Sequence, residues 1–155
     1  MQRQEGHGGK YGRFLLMVLT STVLMHLLTY TNVFSAGHIR FSATRLYLSL
    51  IMGSTMAVVM LAFMRHMYRD RAKNIAIVAV SAVIFVAALL MMRAQTFVGD
   101  AAWMRAMIPH HSIAVLTSRN ADIRDPEVRA LADEIIRTQL EEIAEMEALL
   151  QKVTR

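Results

Sequence analysis

Cysteine is absent from all 155 residues, which excludes disulfides and thiolate metal ligands together. Proline occurs only at Pro109 and Pro126, so long helices can run with few interruptions, and the only tryptophan is Trp103. Acidic residues are scarce early in the chain: residues 1–99 hold 10 of the 17 Lys and Arg but 2 of the 12 Asp and Glu. Three long stretches lack charge of either sign, between Arg13 and Arg40, Arg45 and Arg65, and Lys73 and Arg93. There is no phosphate-binding loop, no Ser or Cys nucleophile beside a companion base, and no Glu-x-x-His motif of the kind that ferritin-like oxidases use to hold two metals. Binding without catalysis is therefore the expected class.

What the chain does have is apolar length. It is 55% hydrophobic, with a mean hydropathy of +0.37. The last two uncharged windows, 46–64 and 74–92, are each 19 residues long, against the roughly 20 that cross about 30 Å of hydrocarbon. The expected architecture is all-α. A mobile cytoplasmic leader (1–13) precedes three transmembrane helices (14–93), and an extracytoplasmic helical hairpin (94–155) follows. The first span is expected to be retained rather than cleaved, because Phe34-Ser35-Ala36 puts a bulky residue where a signal peptidase needs a small one. The formal charge of +5 does not point to nucleic acid, because the basic residues sit where membrane topology wants them. Arg3, Lys10 and Arg13 precede the first span, and Arg65, Arg69, Arg71 and Lys73 fill the second loop. That bias predicts a cytoplasmic amino terminus and a periplasmic or extracellular tail, in a bacterial inner membrane.

Within the spans, His26 near mid-membrane is a functional candidate because an ionisable group is costly there. A haem shared with His66 is disfavoured by a depth mismatch of roughly 15 Å. The alternative is an imidazole bonded to a neighbouring helix. Met52, Met56, Met60 and Met64 recur at four-residue steps. Such a ladder can pass monovalent copper, or it can simply fill gaps between helices. Gly53 and Ala57 form a small-xxx-small step that allows close helix approach.

The tail carries the chemistry. At about 100° per residue, Asp100, Met104, Met107 and His111 share one helix face. Gly99 is expected to end one helix and Asp100 to cap the next, with Pro109 bending the rod beside His110 and His111. Asp125-Pro126-Glu127 is a strong helix start. The following helix has an apolar stripe of Val128, Leu131, Ile135, Ile143, Met146 and Leu150, inside which Gln139 and Glu142 fall. Folded as an antiparallel hairpin, the two helices bring thioethers, imidazole and carboxylate together. Met104, Met107, His111 and Met146 suit monovalent copper or silver, and greater use of carboxylate and imidazole would favour divalent copper. His110 and His111, being adjacent, point about 100° apart and cannot easily share one ion. The competing expectation is a structural protein whose Met/His face packs a helical homodimer, with His111 paired to Glu142.

The runs Met104-Arg-Ala-Met107-Ile-Pro-His110-His111-Ser-Ile-Ala114, Asp125-Pro-Glu-Val-Arg-Ala-Leu-Ala and Ile136-Arg-Thr-Gln139-Leu-Glu-Glu142-Ile-Ala-Glu-Met146 resemble the bacterial family labelled as unknown-function domain three-hundred-five. The resemblance spans about Thr96 to Leu150 and leaves out the three spans. It implies a ferritin-like helical fold and, through some members, copper binding and copper tolerance outside the cytoplasm. It points to Met104, Met107, His110, His111, Gln139, Glu142 and Met146. Many relatives carry more helices in the soluble domain, so a complete bundle here would need a second copy.

Overall fold

The structure, a computed structural model, describes residues 7–155. Among them it has five α-helices and no strand: α1 (His7–Leu28), α2 (Ala43–Phe63), α3 (Arg71–Arg93), α4 (Asp100–Asn120) and α5 (Pro126–Val153), with a short 3-10 turn, Ala36–His38, between α1 and α2. The chain divides into two compact units. One comprises the chain to Leu28 together with Thr44–Thr96, and the other joins Thr29–Ala43 to Phe97–Arg155.

In the first unit, α1, α2 and α3 are each long and apolar enough to cross a membrane. Lipid offers helices no hydrophobic reason to associate, so close packing and polar bridges must hold them together. Both are present. The buried face of α2 is mostly small, with Ser49, Gly53, Ser54 and Ala57 among its residues. A Cβ on Gly53 would stand 2.8 Å from Thr22 Cγ2 of α1, closer than real Cβ contacts come. His26 Nδ1 lies 2.9 Å from Ser49 Oγ, and Ser49 also donates to the Arg45 carbonyl at 2.8 Å. The pairs His26–Ser49 and Thr22–Gly53 run α1 and α2 antiparallel. Farther along the same pair, Tyr11, Phe14, Leu61 and Tyr68 form a buried cluster against which Met60, Met64 and Ile77 pack. The Tyr11 hydroxyl donates to Asn74 Oδ1 at 2.8 Å, tying α1 to the start of α3. Tyr47 closes the other end by donating to the Thr96 carbonyl at 2.6 Å.

The expected mobile leader needs correcting. Residues 1–6 lie outside the described residues, but from His7 onward the chain is helical. Glycines at 9 and 12 weaken a helix locally, and burial of Tyr11 and Phe14 in the cluster overrides that preference. Asp70 caps α3 by accepting from the Ala72 and Lys73 amides. The Lys73 amide and ammonium, with the Ala72 amide, hold its carboxyl below the usual aspartate range.

The end of α3 also differs from expectation. It closes at Ala94 with Gln95 in the left-handed region at φ 49°. The Gln95 amide donates to the Met92 carbonyl and the Thr96 amide to the Met91 carbonyl, the bond pair of a Schellman cap. Gly99, not Asp100, is the N-cap of α4, without a side-chain bond, and Asp100 is an acid of the first turn. α4 continues helical through buried Pro109. α5 starts as its sequence says, with Asp125 Oδ1 accepting from the Glu127 and Val128 amides.

Candidate functional site

Two helices joined by a five-residue turn define the second unit, and their register is antiparallel. Arg129 Nη2 donates to the Ser118 carbonyl at 3.2 Å near the turn. Farther out, His111 faces Glu142, and Met104 and Ile108 meet Ile143 and Met146. Those last four residues form one buried cluster, with Met107 and Leu150 packed against it. Met104 and Met146 are only 5% and 7% exposed, so two thioethers from different helices share a dry interior.

His111 stands at the edge of that interior. Its Nδ1 lies 2.9 Å from Glu142 Oε2. Nδ1 is nevertheless a buried atom with no aligned hydrogen-bond partner. Close approach without alignment makes the contact Coulombic at best, and it leaves a ring nitrogen whose hydrogen-bonding capacity is not met. Glu142 is about half exposed, its side chain 51% accessible, and it also accepts from Gln139 Nε2 at 3.2 Å. The carboxylate is therefore hydrated rather than sealed in the stripe. The stripe itself is shorter than expected: Val128 and Leu131 are exposed, and Ala132 is the buried residue of that first stretch.

His110 is exposed, its ring edge-on to His111 with centroids 6.1 Å apart, so the structure does not gather it with the sulfurs. Asp100, also exposed, lines a cleft of about 500 Å³ with Val98, Gly99, Trp103, Met104, Leu149 and Val153. Met104 thus borders both the buried cluster and a route from solvent. Among the described residues no three His, Asp or Glu side chains converge in metal-holding geometry, so sulfur would have to complete a coordination shell.

A third segment packs on α4, and the sequence did not reveal it. The loop between α1 and α2 belongs to this unit. Fully buried Ser112 accepts from the Phe34 amide at 2.8 Å. Its Oγ is also 2.9 Å from His38 Nδ1, with the direction of that bond set by the imidazole tautomer. Arg119 lies over the Phe34 ring at 5.4 Å, and Arg40 reaches Glu147 at 3.6 Å. Partners more than 70 residues apart leave no periodic trace, and a serine beside a histidine pair gave the one weak signal.

The intramembrane candidates are spread differently. His26 takes the interhelical role that was its structural alternative, and His66 is exposed at the far end of α2. Met60 and Met64 pack on the aromatic cluster, and Met52 and Met56 are half-buried.

A helical protein with three membrane-length helices and a thioether-lined hairpin is the class these observations define. The chain belongs to the family described as Domain of unknown function (DUF305), whose model matches residues 89–155, from the last turn of α3 to the end. It is similar to an uncharacterized protein of Acanthamoeba polyphaga mimivirus, 34% identical over 143 residues that cover 89% of this chain and 91% of that one. An alignment of that extent runs through the apolar helices as well as the hairpin. No solved structure matches.

Proposed function

We propose that the protein is a membrane-anchored metal-binding protein that holds monovalent copper in the hairpin, on the extracytoplasmic side, and buffers it or passes it on. One observation carries this reading: Met104 and Met146, from facing helices, are buried in one cluster with Met107 at its edge, and His111 Nδ1 is buried beside it without an aligned partner. Thioether and imidazole are the donors that monovalent copper or silver selects. Met104, Met107 and Met146 would hold the ion and His111 would supply a nitrogen, with Glu142 and Gln139 orienting the ring.

The test is titration of the full chain in detergent with monovalent copper under reducing conditions. Uptake of about one ion per chain, abolished when Met104, Met107 and Met146 become Leu and His111 becomes Gln, is the expected result. Uptake that persists in that variant removes the proposed site. A second reading, a hairpin that only packs and forms homodimers, is favoured by the 2.9 Å approach of His111 to Glu142. It predicts no copper uptake by the wild type, a homodimer in detergent, and a hairpin that loses stability on Glu142→Gln.

A further inference from the structure

The cationic end of the membrane unit has no part in the hairpin's chemistry. Arg65, Arg69 and Arg71 are exposed around the loop from α2 to α3, and none is paired with a carboxylate among the described residues. Asp70 is the one acid described in this unit, and it is occupied by the Ala72 and Lys73 amides and by the Lys73 ammonium at 3.1 Å. Asn74 is equally committed, donating to the Tyr68 carbonyl and accepting from Tyr11. Arg69 donates from Nε to the His66 carbonyl at 3.2 Å, which leaves its outer guanidinium nitrogens, with the guanidinium groups of Arg65 and Arg71, without an acidic partner among the described residues.

They stand at the head of a groove of about 620 Å³ whose wall is apolar. Ile75, Val78, Ala79 and Ala82 form that wall at positions i, i+3, i+4 and i+7 of α3, hence on one helix face running away from the arginines over about 10 Å. Ala79 and Ala82 leave the hollow, and Ile75 and Val78 flank it. Membrane topology accounts for arginines in this loop, but not for their standing at the head of a hollow whose wall is apolar. The combination matches one kind of molecule, an anion with an attached acyl chain. Guanidinium forks bind phosphate oxygens in pairs, and basic pockets at the ends of membrane helices are suited to phospholipid headgroups.

We propose that this groove is a binding site for an anionic phospholipid, its phosphate held by Arg65, Arg69 and Arg71 and an acyl chain laid along Ile75, Val78, Ala79 and Ala82. The site is independent of copper and of the hairpin. Native mass spectrometry of the full chain in detergent, with phosphatidylglycerol or phosphatidylcholine added, tests it. One phosphatidylglycerol should be retained in preference to phosphatidylcholine. Changing Arg65, Arg69 and Arg71 together to Gln should weaken that preference at least tenfold, since a Lys or Arg near an anionic headgroup contributes about a factor of five. Ala79→Trp should displace the lipid with every charge intact, and Arg124→Gln with Arg137→Gln in the hairpin should change nothing. Equal retention of both lipids, a preference that survives the triple Gln variant, or binding indifferent to Ala79→Trp would each overturn the proposal. So would displacement of the lipid by equimolar inorganic phosphate, which would mark an anion site with no use for the groove.

Discussion

Gly53 has no room for a methyl group. An added Cβ would lie 2.8 Å from Thr22 Cγ2 and 3.2 Å from Thr22 Cβ, and would overlap Thr22 Oγ1 as well. Thr22 cannot swing away freely, because its hydroxyl donates to the Val18 carbonyl at 2.8 Å and a β-branched side chain has few rotamers in a helix. Gly53→Ala must therefore part α1 from α2 or break that bond, at a cost of about 1–3 kcal/mol. Unfolding in detergent followed by helix content should show the loss, and adding Thr22→Ala should restore most of it, since the two positions are in contact. A Gly53→Ala protein as stable as wild type would refute the close approach. The spacing of Gly53 and Ala57 announced this contact, whereas nothing in the sequence named Thr22 as the partner.

Elements were legible where local chemistry decides and obscure where it does not. α5 follows from Asp125-Pro126-Glu127 because a cap, a pre-set φ and a first-turn acid act within three residues. The start of α1 is not legible locally, because glycines near Tyr11 weaken a helix while contacts with Tyr68 and Asn74, some 60 residues away, hold it. In the hairpin, periodicity brought Met104 and Met146 inward correctly. It could not tell that Leu131 would yield its place to Ala132, or that Ser112 would anchor a loop from between the first two helices. The end of α3 is the clearest case. A left-handed residue is usually glycine, yet Gln95 and not Gly99 occupies that conformation, at some cost. Gln95 recovers part of it by donating from its exposed side chain to the Met92 carbonyl. Gln95→Gly should stabilise the protein by about 0.5–1 kcal/mol, and Gln95→Ala should leave it no more stable than wild type. Thermal unfolding that ranks glycine below glutamine would mean that the side-chain bond, not the backbone, fixes this turn.

For the whole molecule, the question is which parts share a compartment. The antiparallel order of α1, α2 and α3 puts the end of α1, the start of α2 and the end of α3 at one end of the membrane unit. Both segments of the second unit leave from there: the loop 29–43 and the chain from Phe97. Their hydrogen bonds to each other, Phe34 and His38 to Ser112, require that they lie on the same side of any membrane the helices cross. The opposite end of the membrane unit carries Lys10, Arg13, Arg65, Arg69, Arg71 and Lys73, against Arg45 and Arg93 at the end from which those segments leave, and the positive-inside rule then predicts that the six-cation end faces the cytoplasm with the amino terminus. A chain without native cysteine lets this be read one position at a time. Gly37→Cys, Ala121→Cys and Met67→Cys each put a thiol at an exposed site. A membrane-impermeant maleimide added to intact cells should label the first two, and Met67→Cys only after permeabilisation. Labelling of Met67→Cys alone would invert the orientation and withdraw the extracytoplasmic copper reading while sparing the fold. Labelling of only one of Gly37→Cys and Ala121→Cys would separate the loop from the hairpin, and the second unit could not exist as a single body.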